Sequence, residues 1–339
     1  WTAERLETGY VIFPFALEAL HLYAHPPADE QLACRARIAL IGEQRVRSNL
    51  DIVGPDGRLW ARFVGWEDRR FDLSRDFHRL LLAPAEVTLS RPWPALAAHS
   101  PGLLVRRLGP ADFPKDFFTA YGGLWTRVLA HLVLSRSERA LWHALRLPER
   151  RRLEWLLGRL AAKDAVRAHV RERLGLTLSP AEVEVLPDEN GRPMVQGVWA
   201  AQLPRAPRVS ISHTAGLAVA AVGAGDGVGV DVERLGHLTE AAEAMAFSAE
   251  ERELLAGLRQ DAAAEWPLRL WCAKEAAAKA LGRGLAGGPQ ALTVANVEAA
   301  AGLARVVAHG KAQTAFTLRD GDLIAAVVVS ADQQENDRA

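Results

Sequence analysis

Cysteine is nearly absent: the chain of 339 residues has two, Cys34 and Cys272, and they form no CxxC-type ligand spacing. That excludes a disulfide framework and a thiolate metal cluster, and it points to a reducing, cytoplasmic setting. An excess of charge of either sign is also lacking, since Lys plus Arg and Asp plus Glu both total 41. Without a net positive field the chain is no dedicated nucleic-acid binder, although a local basic patch is compatible with this balance. Long apolar runs are missing too. The most apolar stretch, 216–224, stops at Asp226, short of the roughly 18 residues a spanning helix needs, so no membrane association is expected. The first residue is Trp1, with no signal-peptide pattern, which reads as a piece cut from a longer polypeptide. What the sequence does have is 49% apolar and 24% charged residues, enough for real cores and, at this length, for two domains.

The organisation follows from turn residues and periodicity. FALEALHLYA, 15–24, is a short apolar helix candidate. SNLDIVGPDGRLWARFVGWEDRRF reads as a hairpin about Pro55-Asp56-Gly57, giving a half-buried antiparallel sheet against one helix. LSRPWPALAAHSPG, 89–102, holds three prolines and a glycine and reads as a linker, so a first segment 1–95 and a linker 96–120 are expected. Beyond it the chain becomes Arg-rich and helical. Ser135 or Ser137 caps one helix, and a second, about 148–174, buries Leu153, Leu156, Leu157, Leu160 and Ala161 with arginines opposite. A turn at 188–193, strands VSISH, 217–222 and VGVDVE, helices FSAEERELLAGL and LRLWCAKEAAAKALG, and strands LTVAN, QTAFTLRD and LIAAVVVS complete 121–330. Mixed short elements favour α+β over a doubly wound sheet. The polar tail 331–339 is expected to fray.

Several residues could carry chemistry. In VGVDVE a strand period of two puts Asp231 and Glu233 on one face and Val230 and Val232 on the other. Paired acids repel unless a cation neutralises them, and carboxylate oxygens suit Mg²⁺; a solvated strand edge is the alternative. In WCAKEAAAK, Glu275 and Lys279 lie at i and i+4 of a helix with Lys274 beside them, which is either a surface ion pair or part of a phosphate site. Trp271 fits core packing. Ser212 and His213 end VSISH where a turn could offer backbone N–H groups to a phosphate. Arg150, Arg151, Arg152, Arg159 and Lys163 crowd one helix, and Arg192 sits in NGRP, as a solvated basic face or as a place for several phosphates.

In this order, GRLAAK, NGRP, SISH, GVDVE, FSAEE and WCAKEAAAK resemble the 4′-phosphopantetheinyl transferase family of the surfactin-synthetase type, over about 120–330. The resemblance implies two similar α+β halves, about 121–210 and 211–330, related by a pseudo-two-fold, with coenzyme A bound as substrate between them. It implies Asp231, Glu233 and Glu275 as Mg²⁺ ligands, Lys279 and His213 on the pyrophosphate or 3′-phosphate, and Ser212 and Arg192 on the adenosine phosphates and base region. Arg152, Arg159 and Lys163 fall on the 3′-phosphate side, Lys274 among the coenzyme A contacts, and Glu251 on a further family acid. Glu275 and Lys279 are the catalytic candidates, and the acceptor is a serine of an acyl carrier protein. This chain lacks the Asp-Ser-Leu of a carrier, so that serine lies elsewhere in a parent synthase or in another protein. Residues 10–94 are similar to half of a hot-dog dehydratase of iterative polyketide synthases, through FPFALEALHLYA as that family's proline followed by an acidic helix. Glu18 falls on the family acid, but Leu22 stands where the family has glutamine or histidine one turn later and the His-bearing half is expected ahead of Trp1, so the first segment is expected to be inactive alone; dehydration of carrier-bound acyl chains is the alternative function.

Overall fold

The computed structural model describes residues 10–25, 31–236, 238–262, 265–282, 284, 288–308 and 310–330. The expected tail 331–339 lies outside them. The chain divides into two compact units, Trp1–Leu82 and Ala83–Ala339. The fold is α+β, and among the described residues no helix is long and apolar enough to cross a membrane.

The first unit is an antiparallel sheet of β1 (Tyr10–Ala16), β2 (Ala19–Leu22), β3 (Ala33–Ile41), β4 (Arg45–Val53) and β5 (Leu59–Asp72), followed by α1 (Arg75–Leu82). Its order is β1-β5-β4-β3, with β2 also on β5. The hairpin forms where the turn residues place it. Gly54 N–H bonds the Arg58 carbonyl at 2.9 Å, Asp56 Oδ1 accepts from Arg58 N at 2.9 Å, and Gly57 takes φ +80°. The helix expected over 15–24 is instead the end of β1 and all of β2, where Leu20 lies opposite Phe63. Ladder bonding to the 14-residue β5 outweighs a modest helix propensity, and Pro14 is tolerated because β1 is an edge strand. The acidic helix that carried the dehydratase resemblance is therefore not formed, and Glu18 forms an ion pair with Arg47.

The second unit begins with β6 (Arg91–Pro92), α2 (Pro94–Ala97) and β7 (Leu104–Leu108), then α3 (Ala120–Val133), α4 (Arg136–Ala144) and α5 (Glu149–Leu174). Strands β8 (Glu184–Pro187), β9 (Pro193–Gln196), β10 (Arg208–Thr214), β11 (Leu217–Gly223) and β12 (Gly227–Arg234) follow. Next come α6 (Glu240–Ala246), α7 (Ala249–Ala262) and α8 (Trp266–Leu281), then β13 (Leu292–Glu298), β14 (Leu303–Ala308), β15 (Lys311–Asp320) and β16 (Leu323–Ser330). The proline-rich stretch is not a linker. It supplies β6, α2 and the approach to β7, and its Trp93 and Leu96, with Leu103 just after it, are buried in a core with Val105, Val219, Val230 and Val327. Its start and the segment before it are fastened to α5: Asp164 Oδ2 accepts from Leu89 N, Ser90 N and Ser90 Oγ, while Arg167 donates to the carbonyls of Pro84, Ala85 and Val87. Prolines broke the periodicity without breaking the packing, so the division falls after Leu82 rather than near residue 100.

The layers follow from which side chains alternate. A four-stranded sheet, β10-β11-β7-β6, turns Val105, Val219 and Ala221 toward a five-stranded sheet, β12-β16-β15-β14-β13, which offers Val228, Val230, Val232, Ala325 and Val327. On the outer face of the first sheet lies α5, against β7, β10 and β11. The outer face of the second is covered by α8, whose Ala273, Ala276, Ala277 and Ala280 meet Ile324, Ala326 and Val328. Because these contacts are built from alanines, helix and sheet approach closely.

Candidate active site

The site is made where α8 closes on β12. Gly227 and Gly229 share the strand face of Asp231 and Glu233, and a Cβ on either glycine would overlap the carbonyl oxygen of Ala280 or Ala276. Only glycine lets the helix backbone lie on the strand there. The two acids continue the same face past that crossing, and the contact brings Lys279 onto Asp231. Lys279 Nζ donates to Asp231 Oδ1 at 2.8 Å and to the Val230 carbonyl at 3.1 Å. Glu275, one turn earlier, is held above the ordinary carboxylate range by burial first, then by the negative charges of Asp231 and Glu233, with Lys279 opposing. Burial also pushes the Cys272 thiol far up, reinforced by Asp231, so that side chain stays neutral.

Strand β10 approaches the acids from the other sheet. Ser210, Ser212 and Thr214 alternate along one face, all buried. Ser210 Oγ accepts from Val230 N at 3.0 Å, Ser212 Oγ donates to Asp231 Oδ1 at 2.8 Å, and Thr214 Oγ1 donates to Glu233 Oε2 at 2.8 Å. Asp231 is 4% exposed, yet its Oδ2 is buried without a hydrogen-bond partner. Among the described residues no three His, Cys, Asp or Glu side chains are gathered into a metal-holding group.

Thus Ser212, Asp231, Glu233, Glu275 and Lys279 come together, with Ser212 bonding a carboxylate. The other expected contacts are elsewhere. His213 alternates to the opposite face of β10, shared with Ile211, and is exposed. Arg192 lies over the C-terminal cap of α8, where a Cβ on Gly282 would meet its guanidinium. Beside it a cavity of about 690 Å³ is lined by Arg192, Asp226, Gly227, Lys311, Gln313 and Ser330. Arg152 stacks on Trp142 and Arg159 on Trp155, at 4.8 and 4.7 Å from the ring centres, and the Nε of each is buried without a partner.

Two lysines expected at the coenzyme are bound within the protein instead. Lys274, fully buried, gives its ammonium to Glu251 Oε2 at 2.8 Å and to the carbonyls of Ala246 and Pro289. Lys163, equally buried, binds Glu138 Oε2 at 2.5 Å and the carbonyls of Pro180 and Val183. Three donors with three protein acceptors leave neither ammonium for a phosphate. Sequence reasoning also passed over Gly227, Gly229 and Thr214. The available signal was phase: both glycines are in step with the acids, and Ser212 and Thr214 repeat their spacing.

Residues 227–328 match the model of the 4′-phosphopantetheinyl transferase superfamily. A holo-[acyl-carrier-protein] synthase of Bacillus pumilus is 35% identical over 94 residues, 28% of this chain and 74% of that protein. One from Bacillus subtilis is 37% identical over 93 residues, 27% of this chain and 74% of its own length. A solved holo-(acyl-carrier-protein) synthase from Bacillus anthracis, in complex with CoA, aligns at 22% identity and a TM-score of 0.27, covering 36% of this chain and 92% of that one. The matched segment contains the glycine-acid strand and the helix closed upon it, and with relatives aligned over three quarters of their length the chain belongs to the 4′-phosphopantetheinyl transferase superfamily.

Proposed function

We propose that the chain transfers 4′-phosphopantetheine from coenzyme A to a serine of an acyl carrier protein, with Mg²⁺ held at Asp231, Glu233 and Glu275. The observation that carries this reading is the closure of α8 on β12, which sets an acid pair, a second-element glutamate and a lysine against one another. The residues fit the cation. Asp231 Oδ2 is a buried carboxylate oxygen with no donor, and Glu275 is raised by burial and by two neighbouring anions, so a divalent cation would relieve both. When bound, Mg²⁺ would neutralise charge on the phosphate oxygens.

The chain's own residues then have distinct tasks. Lys279 leaves Asp231 for the pyrophosphate and stabilises charge on it. Glu275, directly or through a water, takes the proton of the serine hydroxyl. The serine oxygen forms a bond to the phosphorus on the pantetheine side, the pyrophosphate P–O bond breaks, and adenosine 3′,5′-bisphosphate leaves. Arg192, beside a cavity within the usual size of ligand pockets, supports a place for the adenosine part. Arg152 and Arg159 remain the candidates for the 3′-phosphate, supported by their unpartnered Nε groups, and His213 for an outer phosphate contact.

The surfactin-synthetase type, with two similar halves, belongs to the same proposal. Its support is internal, with the halves taken as the two sheets of the second unit rather than as 121–210 and 211–330, because β6, β7 and β11 fall outside the first of those ranges: each sheet carries a helix on its outer face, and each half buries a lysine on a glutamate that closes a Ser-x-x-Glu cap, Ser135 to Glu138 in one and Ser248 to Glu251 in the other. The test is mass spectrometry of an apo carrier protein after incubation with the chain, coenzyme A and Mg²⁺. A gain of one phosphopantetheine is expected; an unmodified carrier with folded chain overturns the proposal.

A further inference from the structure

We infer that Thr214 is a positioning residue for the transfer: its buried hydroxyl, donated to Glu233 Oε2 at 2.8 Å, fixes the carboxylate that is to face the cation. The inference rests on the metal reading above and adds a residue to it. Strands β10 and β12 are not paired through their backbones, because each lies in a different sheet. They meet through side chains at one constant offset, Ser212 with Asp231 and Thr214 with Glu233, both separated by 19 residues. A constant offset means that the strands run in the same direction side by side, so the two-residue step of the hydroxyls matches the two-residue step of the acids. One strand from the first sheet thereby presents one hydroxyl to each acid of the second.

The chemistry follows from the direction of the bonds. An ionised carboxylate only accepts, so each hydroxyl must point its hydrogen at the acid, and one oxygen of each acid is thereby committed to protein. At Asp231 this commitment is visible: Oδ1 takes Ser212 and Lys279, and Oδ2 is left buried without a donor. At Glu233 the same role falls to Thr214. A glutamate has one more torsion than an aspartate, and Glu233 is next to last in its strand, so it has more orientations to lose. Thr214 is 7% exposed, so water cannot readily replace its hydroxyl, and a hydrogen-bond partner behind a metal-holding carboxylate typically matters by 10 to 100-fold in affinity.

The test compares Thr214→Val, which swaps the hydroxyl for a methyl of similar size, with Thr214→Ser, which keeps the hydroxyl. Mn²⁺ binding to the full chain without coenzyme A is measured by electron paramagnetic resonance, alongside the Mg²⁺ dependence of transfer and a thermal melt. Thr214→Val is expected to weaken Mn²⁺ binding about tenfold and to raise the Mg²⁺ concentration for half-maximal rate by a similar factor. Thr214→Ser should stay within about twofold of wild type on the same reasoning. Equal Mn²⁺ affinity in a folded Thr214→Val and the wild type overturns the role of Thr214, as does a serine variant as weak as the valine one. The metal reading fails separately, and takes this inference with it, if wild type binds no Mn²⁺ or if Asp231→Asn binds it as tightly as wild type.

Discussion

Lys163 and Lys274 occupy the same kind of place in the two halves of the second unit. Each is buried to 0% exposure, each binds the glutamate of a Ser-x-x-Glu cap, and that glutamate in turn accepts a backbone N–H of a nearby strand, from Val185 of β8 in one case and Val294 of β13 in the other. Burial lowers the pKa of both ammonium groups and the glutamate beside each opposes it. The halves differ in the strand under the helix. In the second sheet it carries glycines and then acids on the helix-facing side, whereas β10 turns Ile211 toward Gly158 of α5 and its hydroxyls toward β12. The comparison separates a lysine-glutamate cluster that both halves share from the glycine-acid strand β12, which the second sheet carries.

The comparison breaks first, and most visibly, on the acids. Asp231→Asn and Glu275→Gln are each expected to lower kcat/KM by at least about a hundredfold, with no loss in melting temperature, because they remove charge that the fold crowds together. Carrier mass shift with time is the readout, and EDTA added to wild type should act alike. Next come the lysines. Lys163→Met and Lys274→Met each strand a buried glutamate and should cost about 3 to 5 kcal/mol in denaturant unfolding, similarly in both halves. Coenzyme A affinity should be retained in whatever fraction stays folded; a stable Lys274→Met that no longer binds coenzyme A would return that lysine to the site. Gly229→Ala distinguishes the two strands further. Its Cβ has no room beneath Ala276, so a loss of about 1 to 3 kcal/mol together with weakened transfer is expected.

The smallest effect is a titration. Glu275 is raised in the fold, so in metal-free protein its ionisation subtracts stability as pH climbs from the ordinary glutamate value to the folded one, and the loss is complete above that. Melts against pH should show this slope in wild type and not in Glu275→Gln, and Asp231→Asn should shrink it. A slope of opposite sign would mean that Lys279 outweighs burial and the acid pair.

Much of the site was legible because its signals are periodic. A strand step of two put Asp231 and Glu233 together, and a helix step of four put Glu275 above Lys279. The buried lysines were not legible, since a lysine in a helix looks the same whether its partner is a phosphate or a glutamate arriving from a distant cap. The segment 89–102 was misread for a related reason: prolines report the loss of local regularity, whereas Trp93 and Leu96 are buried by strands more than 100 residues away. FALEALHLYA went wrong where pairing with β5 decided the outcome.

Cys272, sealed beside Asp231, has a consequence for labelling. Thiolates are the species that alkylate, and this thiol is buried and held neutral, while Cys34 on the edge strand β3 is exposed. A maleimide dye or surface tether therefore reacts at a single position, in the first unit, and leaves the acid strand chemically untouched. The wild-type chain is in effect already a single-cysteine reagent.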